Sequence, residues 1–155
     1  MLVFSFKMTK TKLAFFMVAC IAVIAFVTSI ISKDAGLQTV VKTNAKASTN
    51  EERIAFLSTF GWQVEAEPSE IIEIVVPLEF DAVYEKYNSI QKGQGYDLLK
   101  YKGKRVKRYT YEVKNYEPKQ ETTVNANILV CENKIIGGDV CSVALGGFIH
   151  GFKKD

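Results

Sequence analysis

The sequence predicts a small α+β domain preceded by one N-terminal transmembrane helix. Three observations lead to this prediction: an uncharged apolar run near the N-terminus, two later segments with apolar residues at helical spacing, and a C-terminal half rich in β-branched runs separated by turn residues. The predicted order is helix, strand, helix and then an antiparallel sheet of about five strands, which is typical of an α+β fold. With 155 residues, the chain has room for one domain and an appendage.

The transmembrane prediction rests on residues 13–31, which contain no charged side chain. At a rise of about 1.5 Å per residue, this helix would be roughly 28 Å long, close to the ~30 Å hydrocarbon core of a bilayer. Eleven of its 19 residues are Leu, Ile, Val or Phe. Together they favour membrane insertion by about 3–7 kcal/mol. We therefore expect this segment to anchor the chain in a membrane as a single-pass helix.

The charges on either side of this segment predict its orientation. Lys7, Lys10 and Lys12 precede it with no acid between them, whereas Lys33 follows it beside Asp34. Such an excess of cations before the helix favours a cytoplasmic N-terminus. The expected organisation is a cytoplasmic tail over residues 1–12, the transmembrane helix over 13–31, a flexible linker over 32–50 and an extracytoplasmic domain over 51–155.

Two alternatives stay open at the N-terminus. A cleaved signal peptide would also place the domain outside the cytoplasm, although the apolar run is longer than usual and no small-residue cleavage site follows it. Translation from Met8 instead of Met1 would remove Lys7 and keep the two lysines nearest the helix.

Two helices are expected in the domain. Residues 48–52 match a capping box in two overlapping ways: Ser48 with Glu51, or Thr49 with Glu52. Apolar residues at helical spacing follow, and Gly61 is placed to end this helix. The second helix is predicted over about residues 81–91, where apolar residues again share one face and Asp81 complements the helix dipole.

The remaining runs predict strands. Residues 71–76 are β-branched and almost wholly apolar, which is typical of a strand buried on both faces. Residues 143–152 are expected to close the sheet. Two hairpins are predicted between these segments: 98–101 with 106–113 around Lys102-Gly103, and 124–131 with 135–142 around Asn133.

Charge is distributed unevenly along the domain. Residues 51–85 carry nine acids and one Arg, a net charge of −8, whereas residues 86–108 carry eight cations and one Asp, a net charge of +7. Residues 51–155 as a whole have a net charge of −2. A domain that is negative overall makes a poor general nucleic-acid binder, because neutralising phosphates needs excess positive charge.

Six cations and two tyrosines define a candidate binding surface, which we call the basic strip. Its members are Lys100, Tyr101, Lys102, Lys104, Arg105, Lys107, Arg108 and Tyr109. Outside a cell it would face lipid headgroups, an anionic envelope polymer or an acidic protein. The alternative, which the sequence favours, is that these cations only balance the acidic first half and discourage edge pairing.

The cysteines predict no bridge. Cys131 and Cys141 are the only possible pair in the domain. A two-residue turn at Asn133-Lys134 would place them on opposite faces and about 16 Å apart, beyond the ~7 Å limit for a disulfide. Only an irregular arrangement around Gly137-Gly138 would bring them together. With one His and no CxxC, neither a metal nor a cofactor is expected.

His150 is the only histidine in the chain. A hydrolytic enzyme built on it would need an orienting acid and a nucleophile, and the nearest candidates in sequence are Asp139 and Ser142. No nucleophile-elbow pattern surrounds any serine. We therefore assign no catalytic residue and do not expect an enzyme.

Three strings of residues resemble a known family. They are Phe56-Leu57…Gly61-Trp62, Tyr87-Asn88-Ser89-Ile90-Gln91-Lys92-Gly93-Gln94-Gly95-Tyr96, and Ile136-Gly137-Gly138-Asp139-Val140. Over about residues 53–152 the chain resembles domain of unknown function 4830, an uncharacterised family of membrane-anchored proteins from clostridia and other Firmicutes. The resemblance implies a Gram-positive origin and a surface location. It implies no activity, cofactor or catalytic residue.

Three functional hypotheses follow. The sequence favours a membrane-anchored extracytoplasmic binding or regulatory module of unknown ligand, because it combines an anchor with a small domain that lacks a catalytic constellation. The alternative is a structural or assembly component of the cell envelope that acts through an open sheet edge. A hydrolytic enzyme using His150 and Asp139 is favoured least.

Overall fold

A computed structural model describes residues 45–117, 119 and 121–153. The predicted two helices and antiparallel sheet of about five strands are confirmed. In chain order, the elements are α1 (Asn50–Ser58), β1 (Glu70–Val75), α2 (Ala82–Gly93), a 3₁₀ helix (Leu98–Tyr101), β2 (Arg105–Glu112), β3 (Val124–Cys131), β4 (Lys134–Ser142) and β5 (Ile149–His150).

The sheet is an antiparallel meander. Its strands lie in the order β1-β2-β3-β4-β5, so that each strand pairs with its neighbours in the sequence of strands. Side chains of β3 alternate between the two faces: Ala126 and Ile128 pack with Leu57 of α1, whereas Leu129 packs beside Tyr87 of α2. The two helices therefore lie on opposite faces of one sheet.

Both helices begin close to the predicted positions, and the structure selects one of the two possible capping boxes of the first helix. Thr49 and Glu52 form the capping box of α1: the Thr49 side chain accepts a hydrogen bond from Glu52 N at 3.3 Å, and Glu52 Oε2 accepts from Thr49 N at 3.3 Å. At α2, Asp81 Oδ1 accepts from Tyr84 N at 2.8 Å. These side chains satisfy backbone donors that the first helical turn leaves unpaired.

The face of the sheet under α1 is closed by aromatic side chains. Trp62 and Phe152 are fully buried there, and Trp62 Nε1 donates a 2.5 Å hydrogen bond to the carbonyl oxygen of Phe152. Arg53 of α1 is also buried, donating through Nε to Tyr111 Oη at 2.8 Å and lying 3.8 Å above the ring of Tyr109. Its charge is thus held by hydrogen bonds and an aromatic ring, as burial of a guanidinium requires.

Two predicted strands differ from the structure. β1 is an edge strand rather than a strand buried on both faces, and Ile71 and Val75 are 55% and 54% exposed. Residues 98–101 form a 3₁₀ helix, not the first arm of a hairpin. The reason is local capping, because Asn88 Oδ1 accepts from Leu98 N at 2.8 Å and Asp97 Oδ1 accepts from Leu99 N at 3.1 Å. β2 pairs instead with β1 and β3.

The β3–β4 turn lies one residue earlier than predicted, at Glu132 and Asn133. Both residues have positive φ, 50° and 60°, as in a type I′ hairpin turn. The strand register shifts between Leu129 and Val130, two residues before this turn in β3. The C-terminal strand is shorter than expected, since only Ile149 and His150 pair with β4.

Residues 45–47 belong to the folded part of the chain, whereas the sequence pattern predicts that they are part of the linker. Ala47 N donates to Asn133 O, and Ile135 N donates to Ala45 O, both at 2.9 Å. Ala47 is buried in the core under α1. Two backbone hydrogen bonds thus join residues 45–47 to the β3–β4 turn, and we call this connection the clasp.

Within the residues that the structure describes, no helix is both long enough and apolar enough to cross a membrane. The transmembrane helix predicted over residues 13–31 lies outside them.

Candidate functional site

A cleft of about 350 Å³ opens between α2 and the sheet. This volume lies at the small end of the range for ligand pockets. Its walls are mostly aliphatic and its floor is polar. The lining residues are Ile74, Val76, Val83, Tyr84, Tyr87, Leu98, Arg108, Asn127, Leu129, Asp139, Cys141 and Ile149.

A chain of hydrogen bonds crosses the floor of the cleft from β2 to α2. Thr110 Oγ1 donates to Asn127 Oδ1 at 2.8 Å, and Asn127 Nδ2 donates to Asp139 Oδ1 at 2.8 Å. From the helix, Tyr87 Oη donates to Asp139 Oδ2 at 2.7 Å. Asp139, Asn127 and Thr110 are all buried. Such a chain fixes its side chains in one arrangement, because an unsatisfied partner would be costly in this environment.

Burial raises the pKa values of three side chains on the floor of the cleft. It raises the pKa of the Asp139 carboxyl above its ordinary value, while the hydrogen bonds from Asn127 and Tyr87 act in the opposite direction. Burial, together with the neighbouring Asp139, raises the pKa of Tyr87 well above 10 and that of the Cys141 thiol to about 11. Tyr87 is therefore a neutral phenol and Cys141 a neutral thiol at neutral pH, which leaves the floor without an activated nucleophile.

Arg108 is the one cation among the described residues that line the cleft. Its Nη2 donates to Glu70 Oε2 at 2.6 Å, and this pair is partly exposed. Its Nε is buried and has no hydrogen-bond partner among the described residues. A buried donor without a partner is unusual in folded proteins. Because Nε has almost no accessible surface, a molecule in the cleft does not reach it in this arrangement.

The mouth of the cleft is lined by exposed aliphatic side chains. Val83 in the first turn of α2 is 75% exposed, and Ile149 of β5 is 45% exposed. Ile149 lies opposite Cys141 in the sheet register. The cleft thus offers apolar contacts at its entrance and hydrogen-bonding groups at its base, a common arrangement in small-molecule sites.

The position of α2 over the sheet depends on two glycines of β4. Gln91 Oε1 accepts from Gly138 N at 2.8 Å, and Gln94 Nε2 donates to Gly138 O at 2.9 Å. A Cβ at Gly137 would lie 2.6 Å from Gln91 Oε1, and one at Gly138 would overlap the carbonyl oxygen of Asn127. The glycines therefore let the C-terminal half of α2 dock on β4.

The basic strip does not form one surface. Along β2, Arg108 faces α2 and the cleft, whereas Tyr109 packs on the α1 side, and strand alternation places Arg105 and Lys107 on that second side as well. Three of its cations are paired with acids: Lys104 with Glu132 at 3.0 Å, Arg105 with Glu73 at 2.8 Å, and Arg108 with Glu70 at 2.6 Å.

The other members of the basic strip lie apart. Lys100 and Tyr101 are in the 3₁₀ helix, and the Lys102 ammonium lies 5.5 Å from the ring centroid of Phe80. The Lys104 ammonium lies 5.9 Å from the ring of Tyr101. Only Arg108 of the predicted set lines the cleft.

The structure does not bring His150 and Asp139 together. In the register of β4 and β5, His150 lies opposite Val140, which belongs to the core under α1. His150 Nε2 is 3.3 Å from Tyr116 Oη, and its ring stacks on Phe148. Asp139 points to the other face, into the cleft. The hydrolytic hypothesis thus lacks the dyad on which it was built.

Cys131 and Cys141 are free thiols. They lie opposite Lys134 and Asn125, six positions apart in the β3–β4 register, which is about 20 Å at the usual rise. Both are on the α2 side, not on opposite faces, because the turn is displaced by one residue and the register shifts beyond it.

The cleft is not predicted from the sequence, although two residues of the sequence point to it. Asn127 and Asp139 are polar residues within two apolar strands, at positions where the side chain faces the interior. A polar side chain at such a position needs a hydrogen-bond partner. Tyr87 of α2 provides that partner for Asp139.

The sequence profile of a domain of unknown function, DUF4830, matches residues 56–140. This range includes four of the polar residues at the cleft: Tyr87, Arg108, Asn127 and Asp139. Searches of curated proteins and of solved structures find no match to the chain.

Proposed function

The chain belongs to the DUF4830 family, whose description states no activity, and on the geometry we propose that its domain is a binding module. Its ligand is a compact, largely apolar molecule that enters the cleft between α2 and the sheet. One observation carries this proposal: the apolar walls of a cleft of about 350 Å³ converge on a floor of buried, mutually hydrogen-bonded polar side chains.

The floor of the cleft is better suited to binding a ligand than to catalysing a reaction. The two oxygens of Asp139 already accept hydrogen bonds from Asn127 and Tyr87. The Cys141 thiol, with a pKa of about 11, is a poor nucleophile at neutral pH. Side chains that are held in this way position a ligand without reacting with it.

The same proposal places the module outside the cytoplasm, as in the membrane-anchored proteins of clostridia and other Firmicutes that the sequence resembles. Residues 13–31 act as its anchor, with the N-terminus inside. Support comes from the uncharged 19-residue run and from the lysines that precede it. A module held in this position reports or regulates through ligand binding at the membrane surface.

Amide NMR spectra of the ¹⁵N-labelled full chain in phosphatidylcholine nanodiscs test the binding proposal. The probes are three six-carbon compounds: hexanamide, hexanoate and hexylammonium. We expect at least one of them to cause saturable shifts at Tyr87, Leu129 and Cys141. Val83→Trp, which narrows the entrance, should weaken that binding about tenfold or more.

Leu78→Trp is the matched control. Leu78 is 72% exposed, close to the 75% of Val83, and it does not line the cleft. The proposal is refuted if no probe gives saturable shifts at the cleft, or if both tryptophan variants bind equally well.

A second candidate function is assembly of envelope components through the open edge of β1. It is favoured by the exposure of Ile71 and Val75 on that strand. Glu70 and Glu73 of the same strand weigh against it, since charges are commonly used to block edge pairing. Native electrophoresis of the detergent-extracted chain tests it: Ile71→Lys should abolish a larger complex, and unchanged mobility would exclude this edge.

A further inference from the structure

We infer that the end of the domain around the β3–β4 turn, which we call the turn end, docks on the anionic lipid headgroups of the membrane that holds the anchor. This inference rests on the membrane anchor of the proposed function and adds a contact surface to it. It follows from a pair of adjacent lysines, from the distribution of charge along the strands and from the point where the chain enters the domain.

Lys46 and Lys134 lie directly opposite each other across the clasp. They form an antiparallel bridge, and the two hydrogen bonds of the clasp flank it. In such a non-hydrogen-bonded pair the Cα atoms are about 4.5 Å apart and the side chains are close together. Ala47 and Ile135 point into the core under α1, so the two lysine side chains point to the other face. Both are exposed.

This pair of like charges creates a place for an anion. Like charges directly opposite each other destabilise a sheet, and among the described residues neither lysine forms a salt bridge. The nearest acid in sequence to Lys134, Glu132, lies 3.0 Å from the Lys104 ammonium instead. A phosphate between Lys46 and Lys134 would offset their repulsion, because its oxygens accept charge-assisted hydrogen bonds from both ammonium groups.

The turn end as a whole carries more cations than acids. Its loops are held together by backbone hydrogen bonds, such as that from Gly103 N to Val76 O at 2.8 Å. Its six cations and four acids are Lys46, Lys100, Lys102, Lys104, Arg105 and Lys134, with Glu73, Glu79, Asp97 and Glu132. An anionic surface therefore attracts this end of the domain.

Leu78 adds an apolar contact to the turn end. Its side chain is 72% exposed. It lies beside Gly103, where an added Cβ would be 3.0 Å from Leu78 Cδ2. An exposed apolar side chain among cations suits the boundary between headgroups and acyl chains.

The opposite end of the sheet has the reverse balance of charge. There Glu65 N donates to Glu112 O at 3.0 Å, and Glu112 lies opposite Asn125. Residues 65–67 and 112–117 carry four acids and one lysine. An anionic surface would repel this end, so the charges along the strands orient the domain with its turn end toward the lipid.

The chain enters the domain at the turn end. Ala45 O accepts from Ile135 N in the clasp, and 13 residues, 32–44, separate Ala45 from the uncharged run over residues 13–31. At about 3.3–3.6 Å per residue, such a segment spans at most roughly 47 Å. An anchor at residues 13–31 therefore keeps the turn end at a high effective concentration of headgroups.

Paramagnetic relaxation in nanodiscs tests this docking. The ¹⁵N-labelled full chain is placed in nanodiscs with a trace of gadolinium-chelating lipid, made of phosphatidylcholine alone or with one-third phosphatidylglycerol. With phosphatidylglycerol, we expect the amide signals of Lys102, Gly103 and Lys134 to lose about threefold more intensity than those of Glu112 and Asn125. This contrast should be small in phosphatidylcholine alone, and it should shrink at 0.5 M NaCl because salt screens exposed charges.

A charge-reversed chain, Lys46→Glu with Lys134→Glu, should lose the contrast. It replaces one like-charged pair by another, so we expect the domain to stay folded. The matched control is Lys114→Glu with Lys119→Glu, which changes the net charge equally in the connection from β2 to β3. This control should keep the contrast, because the turn end is intact.

The outcomes separate this inference from the proposed function. Equal loss at both ends, or a contrast that does not depend on phosphatidylglycerol, would overturn the docking and leave ligand binding in the cleft standing. Failure of the chain to enter nanodiscs would overturn the anchor and the docking together. If the charge-reversed chain does not fold, as its amide spectrum would show, the comparison of the two lipid compositions on the wild-type chain decides alone.

Discussion

The two faces of the sheet come from the same five strands, yet they are filled differently. Under α1, large aromatic side chains such as Trp62 and Phe152 are fully buried in the core. Under α2, Asp139 and Asn127 occupy the sheet surface and a cleft remains beside the helix. Complete packing stabilises a fold, whereas a polar floor beneath an open cleft makes a surface that can hold a ligand.

The largest effect should come from the closed face. Trp62→Ala removes a fully buried indole and its hydrogen bond to Phe152 O, and we expect it to lower the free energy of unfolding by about 3–5 kcal/mol. Val83→Ala, at the exposed rim of the cleft, should change it by less than about 0.5 kcal/mol. Urea unfolding followed by far-UV circular dichroism measures both. Similar losses for the two variants would contradict the contrast between the faces.

The next largest effect on stability should come from Gly138 of β4, which contacts both α2 and Phe152. A Cβ at Gly138 would overlap both Asn127 O and the ring of Phe152, so Gly138→Ala should destabilise the domain by about 1–3 kcal/mol. Gly93→Ala is the control, because a Cβ added at Gly93 would meet no atom within 4 Å apart from the adjacent backbone of its own helix. This variant should be more stable than the wild type by about 0.4–1 kcal/mol. Thermal unfolding compares the two, and a Gly138→Ala variant as stable as the wild type would contradict this packing.

The face of the sheet under α2 should make stability depend on pH through the carboxyl group of Asp139. Burial raises the pKa of Asp139 above its ordinary value of 3.8, so the native state binds its proton more tightly than the unfolded chain does. As the pH falls through the raised pKa toward 3.8, this group adds stability, and the addition is lost again as the pH rises. Asp139→Asn removes that contribution.

The stability of Asp139→Asn relative to the wild type should therefore be higher at pH 7 than at pH 4. The amide preserves the shape of the side chain and can still accept from Asn127 while donating to Tyr87. Urea titrations of both proteins at the two pH values give the difference. A difference that does not change with pH would show that Asp139 does not titrate in this way.

The smallest effect should come from the basic strip. The Arg105–Glu73 pair is solvent-exposed, with side chains 77% and 49% accessible. Arg105→Ala should therefore cost less than about 1 kcal/mol, and less still at high salt. Chemical unfolding at 0.05 M and 0.5 M NaCl checks this. A larger or salt-independent loss would indicate that Arg105 has a role in packing.

Features encoded by neighbouring residues could be predicted from the sequence. The capping box of Thr49 and Glu52, the cap at Asp81 and the β3–β4 hairpin all depend on residues a few positions apart. By contrast, the edge position of β1 depends on which element covers Ile71 and Val75, and that is a tertiary property. The 3₁₀ helix at residues 98–101 depends on Asn88, ten positions upstream of the amide that it caps.

The cleft could be predicted only in part. Asp139 was identified as the nearest acid to His150, and Arg108 as a member of the basic strip, so two of its polar residues were named for other roles. Strand register decides between these roles, because it directs Asp139 and His150 to opposite faces. The volume beside α2 depends on where Gln91 and Gln94 seat the helix on Gly138, and no local pattern encodes that distance.

The clasp at residues 45–47 has a mechanical consequence. Tension applied to the chain upstream of residue 45 meets two backbone hydrogen bonds, Ala47 N to Asn133 O and Ile135 N to Ala45 O, before it reaches α1. The pulling force is therefore transmitted first to the β3–β4 turn and to the start of β4. Since β4 also carries Gly138 and Asp139, a pull on the N-terminal segment is applied to the strand that seats α2 and forms the floor of the cleft.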